Sequence, residues 1–273
     1  MRNLLSVALV AMLATGGPCF GWGRDGHAII AAVAESRLSP DALKQVRALL
    51  GGQSMASVAS WADEVRNTAH PESYNWHFVD IPRARDSFRN TDCFLPDDTH
   101  PGASTDHHNC VVHRISMFEQ SLAFGSDNPE DLKFLIHLVG DSHQPFHAMA
   151  DNKGANGIAV VLFGNAQCGK KPCNLHSAWD DGLIEHTGRN QTAYVAFIID
   201  LIKERNLDKE AIGTPADWSN AGHKLAQEAW LNQNDALDQP YFDNHIDVVN
   251  TQLALAAIRL ADAIERSLGS ANE

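Results

Sequence analysis

Apolar residues recur at three- and four-residue intervals along most of the chain, the signature of amphipathic helices. Over residues 27–38 the apolar positions Ile29, Ile30, Val33 and Leu38 follow that period. Ser39-Pro40-Asp41 opens a second helix reaching Leu50, with the proline where a first turn tolerates it, and Gly51-Gly52 breaks it. A third helix is expected over 57–66, and a short extended segment over 74–81. Residues 83–108, rich in Asp, Thr, Pro and Gly, predict a long loop stapled by Cys93. Helices resume over 109–122 and 129–142. The β-branched run Ile158-Ala-Val-Val-Leu-Phe163 predicts a small hairpin with residues 168–175. Further helices are expected over 176–186, 193–205, 217–232 and 241–268. No internal repeat, low-complexity stretch or linker interrupts this order, so the pattern predicts an all-α fold: a single mainly helical domain with a small β-hairpin.

The N-terminus departs from the pattern. Met1-Arg2 is a short positive start, residues 4–13 are apolar but short for a bilayer span, and Cys19-Phe-Gly21 places small residues three and one before a cut. This reads as an export signal over residues 1–21, with a mature domain over 22–273 and no membrane attachment after cleavage; a lipoprotein reading through Cys19 is weaker. A secreted or periplasmic monomer is expected. Of the five cysteines, Cys93, Cys110, Cys168 and Cys173 remain, an even number that suits two disulfides in an exported chain. Proximity favours Cys93–Cys110 and Cys168–Cys173; zinc-thiolate ligation by the second pair is the rival. The net charge of −13 argues against a broad basic surface for nucleic acid. It leaves open an enzyme that meets phosphate at bound cations, because the ions carry their own charge to the site.

The densest chemistry lies in His137-Leu-Val-Gly-Asp141-Ser-His143-Gln-Pro-Phe-His147 and in His176-Ser-Ala-Trp-Asp180. Residues four apart share a helix face, so each His/Asp pair can grip one cation from a rigid element. On a straight helix His147 would point about 280° away from His137, at about 100° per residue. Pro145 also disfavours an unbroken helix. His147 therefore groups with His176 and Asp180, a three-ligand set with an open position, as a catalytic zinc requires. His137 and Asp141 need further partners. Upstream candidates are Asp63, His77 and the Trp22-Gly-Arg-Asp-Gly-His27 cluster. A free amine at Trp22 would have a pKa of about 8 and could chelate with its own carbonyl. Asp141, with two oxygens, could bridge two ions. His70, His100, His107, His108, His113, His186, His223 and His245 are taken as ordinary core or surface residues.

Several of these pieces together resemble a known family. Trp22-Gly-x-x-Gly-His27, Trp61-Ala-Asp63, His77-Phe78-Val-Asp80, His137-x-x-x-Asp141-x-His-Gln-Pro-x-His147, Gly154-x-Asn156 and Asn174-Leu-His176-x-x-Trp-Asp180 follow one another as in the zinc-dependent S1/P1 nucleases. These are related in fold to bacterial zinc phospholipase C. The resemblance implies three Zn²⁺. Asp63, His77, His137 and Asp141 would hold one; Trp22, by amine and carbonyl, with His27 and Asp141 a second; His147, His176 and Asp180 the third. His143 would not be a ligand but would support the ligands by hydrogen bonding.

The same resemblance implies hydrolysis of phosphodiesters in single-stranded DNA and RNA to 5′-phosphorylated nucleotides, with activity on 3′-nucleotides. Water activated between the paired ions would attack phosphorus. Asp63, Arg66 and Asp141 would carry the chemistry, Arg66 by stabilising charge on the phosphate, unless it forms a surface salt bridge. Phe78 would stack on a base, unless it belongs to the core, with Asp80 and Asn156 at the base edge. A zinc phospholipase C is the nearest rival, disfavoured by Asp180 and by the nucleobase-type residues. A non-catalytic zinc protein would need closed coordination shells.

Overall fold

The computed structural model describes residues 22–93 and 109–269. The expected signal region with Cys19, and His100, His107 and His108 of the predicted long loop, lie outside those residues. Helices dominate, as the pattern predicts. A short arm leads into α1 (Arg24–Glu35). α2 (Pro40–Leu49) starts where Ser39 Oγ accepts from the Ala42 N–H at 3.2 Å.

The helix expected over 57–66 is two helices, α3 (Met55–Val58) and α4 (Trp61–Val65). At the break, the Ala59 carbonyl accepts instead from the His137 imidazole. The extended segment expected over 74–81 is mostly a 3-10 turn, Pro71–His77, with extended backbone from Phe78 onward. Asn75, Trp76 and His77 are all buried, a run that an alternating strand could not bury on one face. A second 3-10 turn, Asn90–Cys93, ends the first described stretch.

α5 (Val111–Ala123) and α6 (Pro129–Asp141) pack against each other, and a 3-10 turn, Pro145–Ala148, follows α6. The run after Gly157 lies beside residues 173–175 as expected, with the Val160 N–H on the Cys173 carbonyl at 3.0 Å. Its named strand, however, finds an unexpected partner. β1 (Val161–Leu162) pairs in parallel with β4 (Ala236–Leu237), while the tight hairpin is β2 (Gln167–Cys168) with β3 (Lys171–Pro172). α7 (Leu175–Ser177) continues through a π-helical turn, Ala178–Gly182, into α8 (Leu183–His186). α9 (Gln191–Arg205) and α10 (Pro215–Glu228) precede the 30-residue α11 (Gln239–Leu268).

α11 packs on α1, α2, α5, α6, α8 and α9. Residues 252–261 of it are buried on every side. Ala254, Ala256, Ala257 and Ala261 keep its girth small, and Leu253, Ile258, Leu260 and Ile264 fill the gaps between neighbours. Each such aliphatic side chain contributes about 1.5–3 kcal/mol by leaving water. The buried apolar residues form one cluster from Trp22 to Leu268. Disulfides join Cys93 to Cys110 and Cys168 to Cys173, the expected pairing, which removes zinc-thiolate ligation by the second pair. Among the described residues no helix is long and apolar enough to cross a membrane.

Candidate metal centre

The fold gathers ligand-type side chains into three buried groups: His27–His137–Asp141, Asp63–His77–His137 and His147–His176–Asp180. Donor atoms within each lie within 4.8 Å of one another. A further cluster, Cys93, Cys110 and His113, has both sulfurs in a disulfide and so offers no thiolate.

The first two groups meet at Asp141, the last residue of α6. Its Oδ2 lies 2.9 Å from His77 Nδ1 and 3.2 Å from His137 Nε2, and its Oδ1 lies 3.3 Å from His27 Nε2. The two oxygens thus face different histidines. Asp63, from α4, closes the first side, with Oδ1 at 3.6 Å from His77 Nδ1 and 3.7 Å from His137 Nε2. His27, from α1, stacks on His137 with ring centres 3.9 Å apart. Trp22 is fully buried, its Cβ beside Gly26 of α1. The Gly23 N–H donates to the Asp180 carbonyl at 3.0 Å, so the N-terminal arm runs between the groups. A Cβ on Gly23 would fall 1.4 Å from Asp181 Oδ1, so a larger residue there would displace that side chain.

The third group is assembled from turns. His147 sits on the 3-10 turn after α6, His176 on α7 and Asp180 on the π-helical turn. His176 Nε2 and Asp180 Oδ2 are 3.5 Å apart. π turns recur at functional sites because the extra residue redirects side chains.

Backbone carbonyls aim three of the imidazoles. The Nδ1–H of His137 donates to Ala59 at 2.7 Å, that of His147 to His77 at 2.6 Å and that of His176 to Gly154 at 2.5 Å. Each bond fixes the tautomer and turns the Nε2 lone pair toward its group. These partners went unnoticed in the sequence because carbonyls carry no residue signature. Gln144 was also missed, although a polar residue wedged between His143 and Pro145 was a visible signal; it is fully buried and bonds Asp180.

Protonation follows from burial. It holds His27 down to about 4, with the charge of His137 adding to the effect. His77 and His176 fall to about 3, and His147 is also lowered. All four are then neutral at pH 7 and can donate lone pairs. Burial pulls His137 down too, but Asp141 and Asp63 overcome it and lift the group to about 9, so a cation binding there would displace the Nε2 proton to gain that lone pair. Burial raises Asp180 well above the usual carboxylate range, Asp181 adding to it, whereas His137 and His147 outweigh burial and hold Asp141 well below it.

The donor set passes a direct test for cations. His27 Nε2, Asp63 Oδ1, Asp141 Oδ1 and Asp180 Oδ2 face these groups and are buried without a hydrogen-bond partner. So many unmatched polar atoms in one place cost several kcal/mol unless something binds them. Nitrogen and carboxylate donors at these separations suit zinc.

Arg66 lies beside this cluster and is 3% exposed, with Nη1 at 3.3 Å from Asp63 Oδ1 and its guanidinium over the Tyr74 ring. That burial rules out the surface-salt-bridge alternative. Burial lowers its pKa, against the pull of Asp63 and Asp141. Phe78 directly follows His77, is half-buried and meets the Tyr74 ring edge-on. Asp80 is half-buried too, and Asn156 is exposed on the turn that supplies the Gly154 carbonyl. His143 departs from expectation. Its Nδ1–H donates to the Val139 carbonyl and its Nε2 accepts from Arg259 at 2.7 Å, so it supports α11 rather than a ligand. Of the other described histidines, His70 pairs with Glu72 and Glu130, His186 stacks on Phe163, His223 bonds the Ala148 and Arg85 carbonyls, and His245 stacks on Tyr241.

The family model described as S1/P1 nuclease matches residues 22–269. The chain belongs to the S1/P1 nuclease family. Among its relatives, Nuclease P1 of Penicillium citrinum is 30% identical, over 91% of this chain and 98% of that protein. Endonuclease 2 of Arabidopsis thaliana is 28% identical, over 98% of each. Nuclease S1 of Aspergillus oryzae is 28% identical, over 96% of each. The matched residues 22–269 of this S1/P1 chain contain all three groups.

Proposed function

We propose that this chain, a hydrolytic nuclease of the S1/P1 family, is an exported three-zinc phosphodiesterase. It cleaves single-stranded DNA and RNA to 5′-phosphorylated nucleotides and releases phosphate from 3′-nucleotides. Residues 1–21 are its export signal and 22–273 its single catalytic domain, secreted or periplasmic and monomeric. One observation carries this function: buried, unmatched donors on His27, Asp63, Asp141 and Asp180, with the two oxygens of Asp141 turned to different histidines.

Asp63, His77, His137 and Asp141 would hold one ion. Trp22, by amine and carbonyl, would hold the second with His27 and Asp141, and His147, His176 and Asp180 the third. Bound zinc supplies Lewis acidity: it acidifies water at neutral pH and neutralises charge building on phosphate oxygens. The chain's own residues do the rest. Asp141 fixes the spacing of the paired positions. Arg66 donates to a non-bridging phosphate oxygen as charge grows there. Its neighbour Asp63 holds the guanidinium in place at 3.3 Å. Burial of Asp141 and Asp180 excludes competing water, so each dipole acts at low dielectric. The ions outweigh the carboxylates that hold them, and this offsets the net charge of −13 where the polyanion binds.

Phe78 offers a ring face to a splayed base, which any base can use. Asp80 and Asn156 bond its edge. A stacked duplex cannot present a base in this way, so single strands are favoured. The deciding experiment is an assay of mature protein on single-stranded DNA, RNA, 3′-nucleotides and phosphatidylcholine, with and without chelator. Zinc-dependent release of 5′-nucleotides is expected. Hydrolysis of lipid alone would assign a phospholipase C, and tight zinc without any hydrolysis a structural role.

A further inference from the structure

Gln144 supplies no donor to any of the three groups, yet it touches the elements that carry ligands on both sides. It is fully buried between the end of α6 and the turn bearing His147. Its N–H donates to the Asp141 carbonyl at 3.0 Å, and its carbonyl accepts from the His147 N–H at 3.0 Å. Its side-chain Oε1 accepts from the Phe146 N–H at 2.6 Å, and its Nε2 donates to Asp180 Oδ1.

The amide has one orientation that satisfies all of this. A backbone N–H can only donate, so the oxygen must face Phe146 and the NH2 group must face Asp180. Asp180 Oδ1 is thereby committed. Its Oδ2 remains without a hydrogen-bond partner and lies 3.5 Å from His176 Nε2. We infer that Gln144 is a positioning residue that selects Oδ2 of Asp180 as the single ligand oxygen of the third ion and sets its register against His147. This rests on the three-ion reading. A carboxylate with one oxygen tied up takes one coordination position rather than two. With His147 and His176 it then makes three ligands and leaves room for substrate. The same side chain also closes the His147 turn, so one residue couples two ligands that are 33 positions apart in sequence.

The test uses the full mature protein and counts zinc per chain after dialysis against graded free zinc. Gln144→Glu keeps an acceptor for the Phe146 N–H but turns a second carboxylate toward Asp180; Gln144→Met removes both bonds at similar volume. His176→Ala serves as the reference for losing the third ion. Both Gln144 variants should hold the third ion about 10- to 100-fold more weakly, the range for partners that orient ligands, while the paired ions stay. Activity of both should return at high zinc, which a purely structural defect would not allow. Wild-type zinc affinity in Gln144→Glu overturns the inference while His176→Ala still loses one ion. Loss of all ions together, or failure of both variants to fold at any zinc concentration, overturns it as well by placing Gln144 in the scaffold. Full zinc in His176→Ala is a separate outcome: the third site itself falls, and the inference with it.

Discussion

The paired centre and the third group are built from different materials. The paired centre stands on α1 and α6, helices of 12 and 13 residues, whose His27 and His137 stack face to face. The third group stands on a 3-10 turn, a π-helical turn and the three-residue α7. The turn beside it, which supplies the Gly154 carbonyl, includes Asn152, Lys153 and Ala155 at φ of 51°, 58° and 63°. Such conformations cost free energy and persist where packing enforces them. The difference teaches that the first centre takes His27, His137 and Asp141 from long helices and adds Asp63 and His77 from shorter elements, whereas the second has no long helix under any ligand and leans on the Gln144 side chain and two carbonyls.

The largest effect should come from joining the two halves of the paired centre differently. Asp141→Asn keeps the shape but withdraws the charge shared by both positions. It should lose two ions and at least about a thousandfold in kcat, since several kcal/mol of charge stabilisation leaves with them. Elemental analysis that still finds three zincs would make Asp141 a ligand of one centre at most. Arg66→Ala, which leaves every ligand in place, should lower kcat by about 100-fold with unchanged zinc content, the scale for one transition-state donor. If KM rises and kcat holds, Arg66 binds substrate without stabilising the reaction.

A smaller effect would sharpen the contrast from the side of the third group. Gly154 has φ +61°, and a Cβ there would come within 2.8 Å of the Phe146 carbonyl and 3.3 Å of His176 Nδ1. Gly154→Ala should destabilise the fold by about 1–2 kcal/mol, by strain in the left-handed region. It should weaken the third ion selectively; equal weakening of all three, read by zinc titration, would erase the distinction drawn between the centres. Phe78→Ala should leave zinc untouched and raise KM for oligonucleotides about tenfold, from a stacking loss of about 1–3 kcal/mol. A KM unchanged on both DNA and RNA would return Phe78 to a packing role.

The two centres were also unequally legible in the sequence. His137 with Asp141 and His176 with Asp180 show themselves through four-residue spacing, and the partition of His147 from His137 follows from helix geometry and Pro145. Most helices were legible for the same reason, since a buried stripe forces a period. What stayed hidden was non-local. The break at Ala59 serves a histidine 78 positions away, and the parallel pairing of Val161 with Ala236 joins segments with no shared local pattern. The turn over Pro71–His77 buries consecutive residues, which defeats any reading by alternation. His143 shows the opposite failure: its place inside the densest motif suggested service to the ligands, whereas its partner is Arg259 of α11.

That partner gives α11 a consequence for how the gene tolerates damage. A reading frame stopped at Asp238 would still encode every ligand proposed for the three ions. It would lack the rod on which α1, α5 and α6 rest, and the guanidinium that grips the chain two residues past Asp141. Early stops and frameshifts in the last eighth of the sequence should therefore be as damaging as changes in the motifs, although none of the proposed ligands lies there.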